Sequence, residues 1–133
     1  VLVVDASVLV VALADDGPDG DHARVRLRGE ELAAPELLDV EVASVLRRQA
    51  RLGVVSPRRA ELALADLAAA PVARAPHQPL LGRCWELREN LTIYDATYVA
   101  LAEALGVDFL TGDVRLANAT GPRCHIEVFR PKQ

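Results

Sequence analysis

An α/β domain with a mostly parallel central sheet, flanked by helices in three layers, is the fold this sequence predicts. Three observations carry that reading. Val1–Val4 and Val107–Thr111 are short, β-branched and largely apolar runs, the pattern of strands buried on both faces. Longer stretches with apolar residues at helical spacing separate the candidate strands, and such alternation packs best as a parallel sheet covered on both sides. The 133 residues, 51% hydrophobic and 26% charged, suit one domain spanning 1–133 with its own core, and exclude a disordered or collagen-like chain.

The elements follow in order. Val1–Val4 ends at Asp5, and Ala6–Ala14 reads as a helix. Asp15–Asp21 is a turn cluster, ahead of a short helix near Asp21–Arg28. Leu32–Ala34 is a brief strand closed by Pro35, which precedes a long helical pattern from Glu36 to about Leu52 that stops at Gly53. Ser56-Pro57 opens the next helix, rich in Ala and Leu, which runs to Ala70 before Pro71. Val72–Ala75 is a short strand and Pro76–Glu89 a helix with an Arg and Glu face. Thr92 to Gly106 is the clearest helix, capped in front and closed by glycine. After Val107–Thr111 come a turn into a short helix over Gly112–Ala119 and a last strand over Ile126–Arg130.

Composition narrows the function classes. Fifteen Lys+Arg against nineteen Asp+Glu give a net charge of −4, so bulk charge would not draw nucleic acid to the surface. Fourteen of the fifteen cations are Arg; a GC-rich genome explains that, although Arg also suits bidentate phosphate contact. Two cysteines cannot build a disulfide scaffold and favour a reducing compartment. No apolar stretch is long enough to cross a bilayer, and no basic, apolar leader opens the sequence, so the expectation is a cytoplasmic protein without a membrane partner.

Four carboxylates stand out, and each has an ordinary explanation. Asp5 and Asp113 follow strands and precede helices, where Asp is a favoured N-cap. Asp95 completes Thr92-Ile-Tyr-Asp95, the spacing of a capping box. Glu41 is harder to dismiss: it falls inside the apolar arc that Leu37, Leu38, Val42 and Val45 define, and a carboxylate there needs an arginine partner or a metal. Taken together they point further. In an open parallel sheet every strand-to-helix junction opens on the same edge, so Asp5 and Asp113 face one crevice, with Asp95 and Glu41 reaching it from neighbouring helices. Clustered carboxylates repel each other unless a divalent cation joins them, and all-oxygen ligation suits Mg²⁺ or Mn²⁺. Such sites serve metal-assisted phosphodiester hydrolysis, where one ion activates water and another stabilises the leaving oxygen.

Four segments carry a family resemblance. Val3-Val4-Asp5-Ala6-Ser7, Glu41-Val42-Ala43-Ser44-Val45-Leu46, Tyr94-Asp95-Ala96-Thr97-Tyr98-Val99-Ala100-Leu101-Ala102 and Leu110-Thr111-Gly112-Asp113-Val114-Arg115-Leu116 resemble the PIN domain family, in particular the VapC toxins of VapBC toxin–antitoxin modules. The third segment is the most specific, and between Arg51 and Arg88 the resemblance says little. It implies a single PIN-like domain in which Asp5, Glu41, Asp95 and Asp113 hold one or two Mg²⁺ or Mn²⁺ ions, with Ser7 and Thr111 supporting them. It implies further an endoribonuclease that arrests translation, a homodimer, and a cognate VapB-like antitoxin that blocks the acidic pocket. Arg115, two residues past Asp113, would approach an RNA phosphate; a solvent-exposed helix arginine is the plain alternative.

Other signals carry less. An EF-hand loop started at Asp15 puts Gly17 at a ligand position and Arg26 where a carboxylate is required. Cys84 and Cys124 are isolated, and His22, His77 and His125 are scattered. Trp85 reads as a core or interface anchor, and Tyr94 and Tyr98 as base-stacking or core residues. Two competing functions remain: a catalytically weak PIN-like module that binds RNA or protein, and a phosphoryl-aspartate domain. The second lacks an Asp two residues after Asp5, where Ser7 stands, and its lysine, because Lys132 lies in the terminal tail.

Overall fold

Five short strands form one sheet in the computed structural model, which describes residues 1–130. They are β1 (Leu2–Val4), β2 (Leu32–Pro35), β3 (Val72–Ala75), β4 (Phe109–Thr111) and β5 (Ile126–Val128). Their order is β3-β2-β1-β4-β5, and every neighbouring pair is parallel. From β1 the chain builds outward through β2 to β3, then returns to lay β4 and β5 on the other side of β1. The gap between β1 and β4, at their C-terminal ends, is therefore the switch point where ligands enter such sheets. Lys132 lies outside the described residues.

Among the described residues seven helices cover the sheet: α1 (Ala6–Ala14), α2 (Pro18–Leu27), α3 (Leu37–Arg51), α4 (Pro57–Ala69), α5 (Leu81–Glu86), α6 (Ile93–Leu105) and α7 (Val114–Ala117). α1 packs with α2, α3 and α4, whereas α6 lies on β1, β2 and β4 with α5 against it. The sequence explains this division. α6 buries seven consecutive residues, Ala96 to Ala102, because small residues alternate with Tyr98, Val99 and Leu101 around its whole circumference. α3 is amphipathic and buries only one face, through Leu38, Val42 and Leu46.

Caps set the boundaries. The Thr92 hydroxyl accepts from the Asp95 N–H at 3.1 Å, and Gly106 ends α6 in the left-handed conformation (φ 67°). The Ser56 hydroxyl accepts from the Arg59 N–H at 3.1 Å, with Pro57 as the first residue of α4. α3 has no cap of its own. The N–H of Leu37 donates instead to His77 Nε2 at 2.8 Å, so a histidine forty positions downstream closes the first turn of α3.

Three expectations shift at their edges. The helix expected over Pro76–Glu89 is a 3₁₀ turn (Gln78–Leu80) followed by α5, because the Leu87 N–H reaches back to both the Arg83 and Cys84 carbonyls and tightens the end. α2 begins at Pro18 rather than near Asp21, since proline behind Gly17 fits the first helical position. β4 begins at Phe109 rather than Val107, because the Val107 N–H is spent on the Ala102 carbonyl at the end of α6.

Few polar pairs reach into the framework. Glu103 of α6, whose side chain is 14% exposed, accepts from Arg83 Nε (2.7 Å) and Nη2 (3.2 Å) and from the Arg123 N–H (2.7 Å). Burial pushes its carboxyl upward, but these donors outweigh burial and hold it below the usual carboxylate range. Because the folded-state pKa lies below the unfolded value, the stabilisation is present above that value and is lost as pH falls through the folded one. Glu103→Gln is expected to cost about 1.5–3 kcal/mol at neutral pH. Urea unfolding should show the gap between variant and parent closing as the pH falls below the ordinary carboxylate range. Loss of the Leu37 partner in His77→Ala should cost about 0.5–2 kcal/mol in the same experiment.

Candidate active site

Asp5 leaves the end of β1 and starts α1, where its Oδ1 accepts from the Val8 N–H at 3.4 Å, so the capping role is real. The rest of its environment is not that of a cap. Oδ1 also accepts from Ser7 Oγ at 2.6 Å, and Oδ2 accepts from Thr111 Oγ1 at 2.5 Å. Both hydroxyls continue across the sheet edge. Ser7 Oγ accepts from the Gly112 N–H at 2.9 Å, and Thr111 Oγ1 from the Asp113 N–H at 3.1 Å. The ends of β1 and β4 are thus stitched through one carboxylate and two hydroxyls. A Cβ at position 112 would stand 3.0 Å from Ser7 Oγ and press on the hydroxyl that receives the Gly112 N–H.

Burial raises the Asp5 carboxyl above its ordinary range; the two hydroxyls and the Val8 N–H lower it, and the charge of Asp95 raises it again. Glu41, from α3, is also raised by burial, with the Tyr98 hydroxyl opposing and Asp95 adding to the shift. Asp95, from the first turn of α6, is raised by burial, against the pull of Thr92, and further by the charge of Asp113. Asp113 departs from the others. Arg115 donates to it through N–H (2.9 Å), Nε (3.2 Å) and Nη2 (3.0 Å) and holds it below the usual range.

All four acids line one cavity of about 350 Å³, together with Ser7, Tyr98 and Arg48 among others. The sheet edge and the two helices therefore bring the sequence-predicted acids to one place. Thr111 lies behind the cavity, fully buried on Asp5. Arg115 is on the rim, its side chain 91% exposed and turned onto Asp113. Of the ordinary explanations, capping accounts for part of Asp5 and Asp113. For Asp95 the cap engages the backbone N–H, and the pull of the Thr92 hydroxyl on its carboxyl is outweighed by burial. No arginine reaches Glu41 among the described residues; its partner is the phenol of Tyr98, at 2.6 Å.

The donor set suits a hard divalent cation: carboxylate oxygens only, partly buried, and mutually repulsive. Among the described residues no three His, Cys, Asp or Glu side chains are already drawn into an ion-holding group. Both oxygens of Asp5 are engaged by hydroxyls and both of Asp113 by Arg115.

Sequence reasoning gave Tyr98 only a stacking or core role and Arg48 no role, yet both line the cavity. Helical spacing held the signal: Tyr98 is three positions after Asp95 on α6, and Arg48 seven after Glu41 on α3. Trp85 and Tyr94 go the other way. Each is 63% exposed, neither lines the cavity, and the Arg88 guanidinium sits 4.5 Å above the Trp85 ring. Cys84 and Cys124 are free thiols, the first buried and the second half-buried. Asp16 pairs with Arg59 and Asp21 with Arg24, so the acidic turn is spent on ordinary ion pairs.

An acid-lined cavity at the switch point of a five-stranded parallel sheet defines a class, and comparison with known proteins agrees. The PIN domain model matches residues 2–122, and the chain belongs to the PIN domain family. Its curated relatives lie in the VapC branch. Ribonuclease VapC1 of Mycobacterium tuberculosis is 46% identical over 129 residues, covering 96% of this chain and 97% of that protein. Ribonuclease VapC9 of the same organism is 45% identical over 130 residues, with the same coverage. Among solved structures, PAE2754 from Pyrobaculum aerophilum superposes with a TM-score of 0.69 at 30% identity, over 96% of this chain and 83% of that one. VapBC2 from Rickettsia felis, crystallised on a DNA fragment from its promoter, gives 0.68 at 11% identity over 97% and 98%, a likeness of fold.

Thr111→Val keeps the shape of a fully buried residue but removes the donor to Asp5 and the acceptor of the Asp113 N–H. It is expected to lower unfolding free energy by about 1–3 kcal/mol. Thermal or urea denaturation checks this, and a variant as stable as the parent would show that the stitch holds nothing.

Proposed function

We propose that the protein is a VapC-type toxin: a divalent-metal-dependent endoribonuclease whose Asp5, Glu41, Asp95 and Asp113 hold one or two Mg²⁺ or Mn²⁺ ions. The single observation that supports this best is the convergence of four carboxylates, from four different elements, on one cavity at the sheet's switch point. The VapC names of the relatives at 45–46% identity favour RNA as the substrate. When bound, the metal would supply an activated water and a counter-charge for the leaving oxygen, yielding a 5′-phosphate and a 3′-hydroxyl.

The chain's own residues prepare that chemistry. Ser7 and Thr111 fix the plane of the Asp5 carboxylate, so its lone pairs are aimed before any ligand arrives. Arg48, which lines the cavity, and Arg115, paired with the cavity acid Asp113, supply the cations that an RNA phosphate needs, since the chain as a whole is acidic. A non-cutting PIN-like module would tolerate the loss of an acid, and none of the four is missing. A cognate VapB-like antitoxin covering the pocket, a homodimeric toxin and a cytoplasmic location complete the reading. The VapBC2 likeness favours the antitoxin, and no described helix is long and apolar enough to cross a membrane.

Purified protein freed of any antitoxin should cleave RNA with Mg²⁺ or Mn²⁺ and stop when a chelator is added. Asp5→Ala and Asp95→Asn should each lower the rate by about 100-fold or more. Cleavage by Asp95→Asn at the parent rate would contradict the site. Arg115→Ala should move two affinities in opposite directions. Calorimetric Mn²⁺ binding should tighten about two- to fivefold, because Asp113 is released. Binding of an uncleaved RNA analogue to the same variant should weaken.

A further inference from the structure

Tyr98 is the cavity residue that packing alone does not explain. Its ring is 2% exposed and stacks on the fully buried ring of Phe109, with centroids 5.6 Å apart and planes 10° from parallel. Phe109 begins β4, so the phenol is clamped between α6 and the central sheet and has little rotational freedom. A tyrosine buried this deeply must place its hydroxyl on an acceptor, and a phenylalanine would fill the same space without that demand. The acceptor is not a backbone carbonyl or a remote side chain. It is Oε1 of Glu41, 2.6 Å away, on a different helix and in the same cavity.

The acid on the other end needs this contact. Glu41 leaves the half-buried face of α3, and no cation reaches it among the described residues. The phenol is the partner the fold gives it. A phenol hydroxyl donates to a carboxylate oxygen, so Tyr98 is the donor of this pair. No hydrogen bond among the described residues reaches Oε2 of Glu41, which leaves that oxygen unencumbered. Asp5 is held in the same manner by Ser7 and Thr111. Neutral hydroxyls thus orient two carboxylates without cancelling their charge, which an arginine would do.

We infer that Tyr98 is a positioning residue of the site: its hydroxyl, fixed by the stack on Phe109, holds the Glu41 side chain in one orientation with the second carboxylate oxygen available to a divalent cation. The inference rests on the ion-site reading above and adds to it a residue outside the carboxylate set.

The test is Tyr98→Phe, which removes one oxygen and leaves the ring stack. Calorimetric titration with Mn²⁺ alone should show affinity falling about tenfold, while the melting temperature confirms a folded protein. RNA cleavage should fall through kcat, with KM for RNA nearly unchanged. In a Glu41→Gln background the same tyrosine change should have no further effect on Mn²⁺ affinity, because the group it positions is no longer a carboxylate. Should Tyr98→Phe fail to fold, Glu41→Asp, which draws the acceptor away from the phenol while keeping the charge, should show the tenfold loss instead. Absence of Mn²⁺ binding by the parent would overturn the ion-site reading and this inference with it. Parent binding matched by Tyr98→Phe, or equal losses in the presence and absence of Glu41, would overturn this inference alone.

Discussion

A half-buried carboxylate at the end of the central strand, with hydroxyls rather than cations as partners, is the constraint on which the rest of this structure depends. Asp5 sits at the C-terminal end of β1, where the parallel topology places it in the switch-point crevice. It is partly withdrawn from water there, and an unpaired charge in such a place is costly. The chain answers with Ser7 and Thr111, each of which also receives a backbone N–H from the β4–α7 turn. Partnering the acid therefore fixes the turn that carries Asp113. Fold and site are one set of hydrogen bonds at this edge, and Gly112 leaves room within it for the Ser7 hydroxyl.

The choice of partners has an electrostatic consequence. Arginines elsewhere are paired with acids: Arg26 with Glu127, Arg59 with Asp16, Arg74 with Asp39 and Arg83 with Glu103. Among the described residues none pairs with Asp5, Glu41 or Asp95. Subtracting the four cavity acids from the nineteen leaves 19 − 4 = 15, which equals the fifteen Lys+Arg. The net −4 is thus equal to the charge of one cavity, and two divalent ions would balance it. An acidic protein can then act on a polyanion, provided ions and rim arginines reverse the potential locally.

Much of this was legible in the sequence, for identifiable reasons. The parallel sheet followed from β1 and β4, whose apolar runs lack alternation, and α6 from a capping Thr92 and a closing Gly106. Asp5 and Asp113 followed from topology, because strand-to-helix junctions share an edge, Asp95 from its place at the start of a neighbouring helix, and Glu41 from its place inside an apolar arc. What was not legible depended on packing between distant segments. Pro76–Glu89 carries helical spacing, yet its turns tighten and break around Leu87. Trp85 reads as a core or interface anchor by type; the structure takes it out of the core, on the exposed side of α5 with the Arg88 guanidinium 4.5 Å above its ring. Tyr98 could be a stacking or a core residue by sequence; only the meeting of α3 and α6 shows that its hydroxyl faces Glu41. His77 closing α3 from forty positions away is of the same kind.

The central claim is that the four acids form one cation site. It is tested most directly by the anomalous scattering of crystals grown or soaked with Mn²⁺. The account predicts one or two manganese peaks inside the cavity bounded by Asp5, Glu41, Asp95 and Asp113, with Arg115 displaced from Asp113. A cavity without manganese at saturating Mn²⁺, with Arg115 still on Asp113, would contradict it.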